Sequence, residues 1–401
     1  MLAKPKNFKD IYLDHAATTK VDREVLAAME PYFMEKFGNP SSLYRAGRVG
    51  NGALNDSRRT IAEILRCLPE NIIFTGSGTE SDNLAIFGVA LGHEKQGKHL
   101  ISIPIEHHAV LNPLKELASR GWKVTQVKVS RKGLVNPDDV IRAITPETTL
   151  ISVMYANNEI GAIEPIAEIG RALLKYRRDH KTIYPFFHTD ACQAAGYLDL
   201  DVEKLHVDLL TINGSKIYGP KGIGALYLRR YIKLKPLLWG GEQERGLRAG
   251  TENVPGIVGL AKALELVQTN KETEATRIAK LSAYAWTKLQ TEIPDVKLNG
   301  PELGAERLPN NLNLAFAGIE NEALLLYLDE YGIMCSSGSA CNAQALNTSH
   351  VLYEIGLSSV EARGSLRFTF GSDNTKQDVD YLAKYLPPLV EKLRQIGQLA
   401  R

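Results

Sequence analysis

The chain has 401 residues, 44% of them hydrophobic and 23% charged, with a formal net charge of +2. That balance suits a globular protein with one large and one smaller domain, and it gives no global basic field to draw nucleic acid or a membrane. No apolar run approaches the roughly 20 residues that cross a bilayer, and Lys4, Lys6 and Lys9 precede no apolar core of a secretory signal.

Residues 11–19 (Ile-Tyr-Leu-Asp-His-Ala-Ala-Thr-Thr) read as a short strand breaking into a polar turn. A helical pattern covers 21–37, a Gly-Asn-Pro-Ser-Ser loop covers 38–42, and a second helix covers 43–65. Strands and helices then alternate. Strands are expected at 71–75, 99–105, 123–129, 150–155 and 185–189, with helices at 80–91, up to 119, at 137–144 and at 166–178. Two more apolar runs, 207–212 and 223–228, flank the turn Asn213-Gly214-Ser215-Lys216-Ile217-Tyr218-Gly219. This rhythm predicts an α/β fold with a mostly parallel sheet. A long helical pattern follows from 254 past 288, weakly broken. The texture then changes: strands at 311–316, 333–335 and 366–370, a helix at 321–328 and a closing amphipathic helix at 378–396 predict a second, α+β domain. No internal repeat or low-complexity segment is present.

Ligands of parallel α/β sheets bind beyond the carboxyl ends of the strands. The polar clusters of this chain fall there. Lys216 stands on a tight turn after a strand, where a lysine can form a Schiff base with a carbonyl cofactor; a solvated loop lysine is the plainer reading of that stretch alone. Gly76-Ser77-Gly78-Thr79-Glu80 joins a strand to a helix, so the Gly78 amide and Thr79 hydroxyl can cradle a phosphate, or merely form an ordinary capped turn. Asp190 can keep a pyridine nitrogen protonated, as pyridoxal 5'-phosphate (PLP) requires, or can simply be a turn residue. Gln193 can reach a ring oxygen. His107 can stack on a ring or relay protons. Asn158 and Arg367 are candidates for a substrate carboxylate.

The four cysteines, Cys67, Cys192, Cys335 and Cys341, show neither metal-ligand spacing nor a disulfide framework, so no metal site is expected and a reducing, cytoplasmic setting is. Cys67 and Cys335 read as core residues. Cys341 sits in the small, polar stretch Ser336-Ser337-Gly338-Ser339-Ala340-Cys341-Asn342, which suits a reactive thiol.

Taken together in order, Leu13-Asp14-His15-Ala16-Ala17-Thr18-Thr19, Gly78-Thr79-Glu80-Ser81-Asp82-Asn83, Glu106-His107, Asn157-Asn158-Glu159-Ile160-Gly161, Asp190-Ala191-Cys192-Gln193, Lys216-Ile217-Tyr218-Gly219-Pro220-Lys221-Gly222, Arg248-Ala249-Gly250-Thr251, Ser336-Ser337-Gly338-Ser339-Ala340-Cys341 and Arg367-Phe368 closely resemble the PLP-dependent cysteine desulfurases of the class-V aminotransferase family. The resemblance runs from about residue 11 to the last helix. It implies a fold-type-I transferase: a large domain (16–265) built on a mostly parallel seven-stranded sheet, and a small domain (1–15 and 266–401) carrying the Cys341 loop. It implies a homodimer with sites at the subunit interface.

The same resemblance assigns roles. Lys216 carries the cofactor and later takes the substrate's α proton. Asp190 pairs with the ring nitrogen, Gln193 meets the ring oxygen and His107 stacks on the ring. Gly78 and Thr79 bind the phosphate, and Thr251 reaches the cofactor of the partner subunit. Asn158 and Arg367 hold the carboxylate of L-cysteine. Cys341 attacks the substrate sulfur, leaving a persulfide and L-alanine, and passes sulfur to an acceptor protein for iron–sulfur cluster assembly or thiolation. The family's usual Ser-Gly-His before the lysine is replaced here by Asn213-Gly214-Ser215, whose side chains can still donate to a phosphate. The stretch after Cys341 resembles the long-loop class. The chain stops at Arg401, soon after its last helix, so scaffold docking through a C-terminal extension is not expected.

A selenocysteine lyase or another PLP-dependent aminotransferase is the nearest alternative; the aminotransferase would not need Cys341. A non-catalytic scaffold would not need Lys216, Asp190 or His107. RNA binding through the basic stretch 171–181 has little support, because that stretch reads as the solvated end of a helix.

Overall fold

The structure is a computed structural model and describes residues 8–338 and 349–399. Twelve strands are named in chain order: β1 (Ile11–Tyr12), β2 (Ile72–Thr75), β3 (His99–Ser102), β4 (Lys123–Gln126), β5 (Thr148–Ser152), β6 (Phe186–Asp190), β7 (Leu209–Asn213), β8 (Gly224–Leu228), β9 (Val296–Leu298), β10 (Asn311–Phe316), β11 (Ile333–Met334) and β12 (Ser365–Thr369). Among the described residues the large sheet has seven strands in the order β2-β8-β7-β6-β5-β3-β4. β8 runs antiparallel to both its neighbours; the remaining pairings are parallel.

Apart from β4, the strands from β2 to β8 are buried because helices cover both faces of the sheet. One face packs Ile101, Ile151, Phe187, Leu210 and Ile212 against helices Arg45–Leu65, Ile166–Asp179 and Val254–Thr269. The other packs Leu100, Leu150, Phe186, Leu209 and Leu226 against helices Gly78–Gly92 and His108–Ser119. Only β4, at the edge, is half exposed.

The second sheet is β12-β10-β9, and β1 pairs in parallel with β11 beside it. Its core gathers Ile11 and Leu13 from the N-terminal arm with residues of helices Lys271–Glu292, Asn321–Glu330 and Lys376–Leu399. Leu308, Val351, Leu352, Ile355 and Ala362 instead join the core of the large sheet, so the C-terminal part of the chain reaches back across it.

Three local expectations needed correction. The helix read over 21–37 is split at Pro31 into Arg23–Met29 and Pro31–Met34, since proline cannot donate an i→i−4 bond. The long pattern after 254 is two helices broken at Asn270, which serves as C-cap of one and N-cap of the next. The helix after β2 begins at Gly78, with Ser77 as its N-cap: the Ser77 hydroxyl oxygen accepts the Glu80 N–H at 3.1 Å.

Candidate active site

The carboxyl ends of β2, β3, β5, β6 and β7 all reach one cavity of about 330 Å³. Gly78, Thr79, His107, Asn158, Asp190, Gln193, Asn213, Lys216 and Arg367 line it. Residues separated by nearly 300 positions therefore meet because each follows a strand end or lies on the small sheet facing the large one.

Lys216 closes a short 3₁₀ turn, Gly214–Lys216, directly after β7. Its ammonium donates to the Ala17 carbonyl at 2.5 Å. The turn is clasped by the polar arm: the Thr19 N–H and the hydroxyls of Thr18 and Thr19 donate to the Ser215 carbonyl. Ser215 thus acts through its backbone and does not line the cavity within this chain. Asn213 does line it, and its Oδ1 is buried without a hydrogen-bond partner.

Gly78 and Thr79 are the first two residues of a 15-residue helix, so their N–H groups have no carbonyl one turn earlier and point outward from its N-terminus. A Cβ on Gly78 would lie 2.8 Å from Cys192 Sγ and 3.2 Å from Asn213 Nδ2, so only glycine keeps this corner open. Asp190 ends β6, and its Oδ1 accepts the Cys192 N–H at 2.9 Å. Gln193 Nε2 donates to the Ala16 carbonyl at 2.9 Å, which leaves a second amide N–H on the same nitrogen.

His107 caps helix His108–Ser119, its Nδ1 accepting the Ala109 N–H at 3.1 Å. With Nδ1 an acceptor, the neutral ring carries its proton on Nε2. Burial keeps His107 neutral, and the nearby charges of Lys216, His108 and His350 add to that effect against Asp190. His108 and His350 stand beside it with ring centroids 4.9 Å apart, and His350 Nε2 donates to the Glu106 carbonyl at 3.0 Å.

Arg367, on β12, is buried at 2% exposure. Its Nη2 donates to Asp14 Oδ1 at 2.6 Å and its Nη1 to the Asn158 carbonyl at 2.9 Å, while Nε has no partner. The partnerless, buried Nε–H beside a half-buried Asn158 suits a bound carboxylate.

Thr251 is exposed and does not line the cavity within this chain. Cys341 lies outside the described residues. Gly338 and Ser349, which border that stretch, both meet Glu159: the Ser349 hydroxyl donates to Glu159 Oε2 at 2.5 Å, and a Cβ on Gly338 (φ +91) would come within 2.9 Å of the same oxygen.

Sequence reasoning passed over several lining residues: Asp82, Met154, Glu159 and His350. Asp82 had a usable signal, standing one helical turn after Gly78 on the same face. Cys192, unresolved between core and site, is buried and lines the cavity, and burial with the Asp190 charge pushes its thiol well up. Cys67 is half-buried, and burial pushes its thiol up to about 12. Cys335 is pushed up still further for the same reason. None of the three is an activated thiol.

These residues fit PLP. A helix N-terminus with an obligatory glycine suits the phosphate, Asp190 suits the ring nitrogen, and Lys216 supplies the amine. The sequence pattern of the Aminotransferase class-V family matches residues 11–382, and the chain belongs to that family of PLP-dependent enzymes. Among individual relatives, the cysteine desulfurase IscS of Clostridium botulinum (strain Hall) is 47% identical over 391 residues, covering 98% of this chain and 97% of the relative. The cysteine desulfurase IscS of Methanosarcina thermophila is also 47% identical, covering 98% of this chain and 94% of the relative. Of solved structures, a NifS-like protein superposes with a TM-score of 0.88 at 35% identity, covering 96% of this chain and 100% of that one. A structure described as SspA in complex with cysteine gives 0.78 at 37% identity, covering 90% and 99%.

Proposed function

We propose that this chain is a PLP-dependent cysteine desulfurase that converts L-cysteine to L-alanine and moves the sulfur onto Cys341. The observation that carries the reading is one cavity lined by Lys216 and Asp190 on one side and by Arg367, held on Asp14, on the other. Gly338 and His350, from either side of the stretch that holds Cys341, line it too.

Bound PLP supplies an electron sink that eases loss of the substrate's α proton and weakens its Cβ–S bond. The Gly78 amide and Thr79 hydroxyl hold the phosphate, with Asn213 beside them. Asp190 holds the proton of the ring nitrogen, and Gln193 donates to the ring oxygen. His107 covers the ring and offers its Nε2–H toward the reacting atoms. Lys216 would hold the cofactor at rest, and its free amine would take the α proton of the substrate. Arg367 and Asn158 orient the substrate carboxylate, which fixes the Cβ–S bond relative to Lys216 and His107. The Cys341 thiolate would then attack the substrate sulfur, forming the S–S bond as the Cβ–S bond breaks; the electron pair of that bond stays with the substrate carbon, whose protonation gives L-alanine.

The working unit of this reading is a homodimer. Phe33, Met34, Phe37, Leu43 and Tyr44 are exposed along one stretch, and Leu238 and Trp239 on another, apolar side chains that a partner subunit would cover. Thr251 follows the second stretch and faces outward, consistent with a role in the partner's phosphate site. The separate core around β9, β10 and β12 supports a division into a large domain (16–265) and a small domain (1–15 and 266–401), although Leu266 and Val267, at the end of helix Val254–Thr269, and Val351 with its neighbours pack on the large-sheet core. The sulfur acceptor is an iron–sulfur scaffold or a thiolation carrier, and unpaired Cys67, Cys192 and Cys335 suit a reducing cytoplasm. Among the described residues no helix is long and apolar enough to cross a membrane.

The test is a peptide mass spectrum of PLP-loaded protein after L-cysteine without reductant. One added, reducible sulfur on the Cys341 peptide is expected. Unchanged Cys341 with cofactor bound overturns the assignment, as does normal sulfide release by Cys341→Ala.

A further inference from the structure

Asp82 is a buried acid that the reaction scheme leaves unused. It lies on the inner face of helix Gly78–Gly92, is 1% exposed, and lines the same cavity as Asp190. Its Oδ1 has no hydrogen-bond partner. The nearest basic group is His188 Nε2 at 3.6 Å. His188 cannot neutralise it, because full burial drives that ring down to about 4 and its nitrogens sit 2.9 Å from Ser152 Oγ and 3.1 Å from Thr211 Oγ1. The Lys216 ammonium, also on the cavity, donates to the Ala17 carbonyl. Glu106 and the Cys192 thiol add no positive charge, and His107 is neutral.

The two acids differ in what faces them. Asp190 Oδ1 accepts a backbone N–H from Cys192 at 2.9 Å, whereas Asp82 Oδ1 has no donor. Asp82 has burial and the charge of Asp190 against ionisation, and the Thr211 hydroxyl in favour does not offset them. Two interacting carboxyls on one buried wall resist ionising together.

We propose that Asp82 and Asp190 act as a single pair in which Asp82 keeps the proton and Asp190 the charge. The wall under the ring nitrogen then carries one negative charge, matched to one ring N–H. Asp82 is a positioning residue in this scheme, and the inference rests on reading the cavity as the PLP site.

The test uses the full chain, with and without PLP. Infrared difference spectra of wild type minus Asp82→Asn should contain the C=O stretch of a protonated carboxyl in both states. The apoprotein's melting temperature should rise in Asp82→Asn relative to wild type as pH climbs from acid to neutral. Wild-type Asp82 must take up a proton to fold, so its stability falls above the unfolded carboxyl's pKa, and the amide abolishes that loss. Loss of an ionised-carboxylate band, with Asp82→Asn melting lower as pH rises, overturns the proposal. Asp82→Ser, also uncharged, carries the same two readouts if the amide variant does not fold. A protonated band in a wild type that takes up no PLP overturns the cofactor reading and the purpose given to the pair, leaving the proton on Asp82.

Discussion

The two walls of the cavity are built on opposite plans. On the side of the large sheet, two acids each keep one oxygen buried without a hydrogen-bond partner, Asp82 Oδ1 and Glu106 Oε2. On the side of the small sheet, Asp14 is engaged by Arg367, and Arg367 in turn by the Asn158 carbonyl. The first wall is made by strand ends and by the helix that follows β2, whose backbone geometry fixes the side chains whether or not every polar atom finds a partner. The second joins residues 14, 158 and 367 from three distant segments: backbone bonds between Leu13 and Thr369 seat the arm on β12, and the Arg367 guanidinium ties Asp14 to the Asn158 carbonyl. On the proposed reading, the difference teaches how a single cavity could contain both a low-charge floor for a cofactor and a charged clamp for a substrate. A neutral floor keeps one carboxylate dominant under the ring. A paired guanidinium is rigid, so the substrate carboxylate meets a donor already in place.

Substitutions that remove the reacting group should have the largest effect and say least about the walls. Lys216→Ala should lower alanine formation from L-cysteine by about 10³-fold or more, since it removes both the cofactor's anchor and the general base. Retention of noncovalently bound PLP, followed by gel filtration and absorbance, would separate the chemical loss from a loss of the floor.

The clamp is tested next. Arg367→Ala should raise KM for L-cysteine by about 100-fold with a smaller fall in kcat, because a ground-state carboxylate contact is lost. It should also cost about 3 kcal/mol of stability in urea unfolding, since Asp14 loses its partner. A kcat loss with KM unchanged would break the clamp reading.

Asp14→Asn is expected to be milder, with KM up by roughly tenfold, because the amide oxygen still accepts from Arg367 but no longer balances its charge. KM near wild type would mean that the Asn158 carbonyl alone orients the guanidinium.

Much of this division was legible in the chain. Clusters following strand ends marked the floor, since parallel strands deliver their C-terminal residues to one edge. Asp190, His107 and Lys216 were found this way. Asp82 was not, because an acid within a helix reads as a solvated face unless its place one turn after Gly78 is followed. The clamp's membership was legible only in part. Arg367 and Asn158 were picked out, but pairing with Asp14 needs the contact between β12 and the N-terminal arm, which no local pattern encodes. Ser215 looked like a side-chain donor; its carbonyl is what the arm grips. The short strand β9 and the helices His350–Glu354 and Ser359–Arg363 escaped notice because segments of three to five residues carry no periodicity.

The smallest expected effect on activity sharpens the contrast most. Glu106 is fully buried, its Oε1 accepts the Met154 N–H at 2.7 Å and its Oε2 has no partner. Burial pushes its carboxyl well up, with the charges of Asp190 and Glu164 adding to the shift. It is therefore neutral when folded and charged when unfolded above the ordinary carboxylate range. The sign follows: folding takes up a proton, and stability declines as pH rises from the unfolded pKa toward the folded one. Glu106→Gln keeps the acceptor for Met154 and removes the titration. It should leave kcat/KM within about threefold of wild type, against the tenfold cost of the acid-to-amide change at Asp14. Its melting temperature should match wild type in acid and exceed it increasingly toward neutral pH. A variant that instead loses stability as pH rises would place a charge on Glu106, and the floor would then be a second clamp with its cation still to be found.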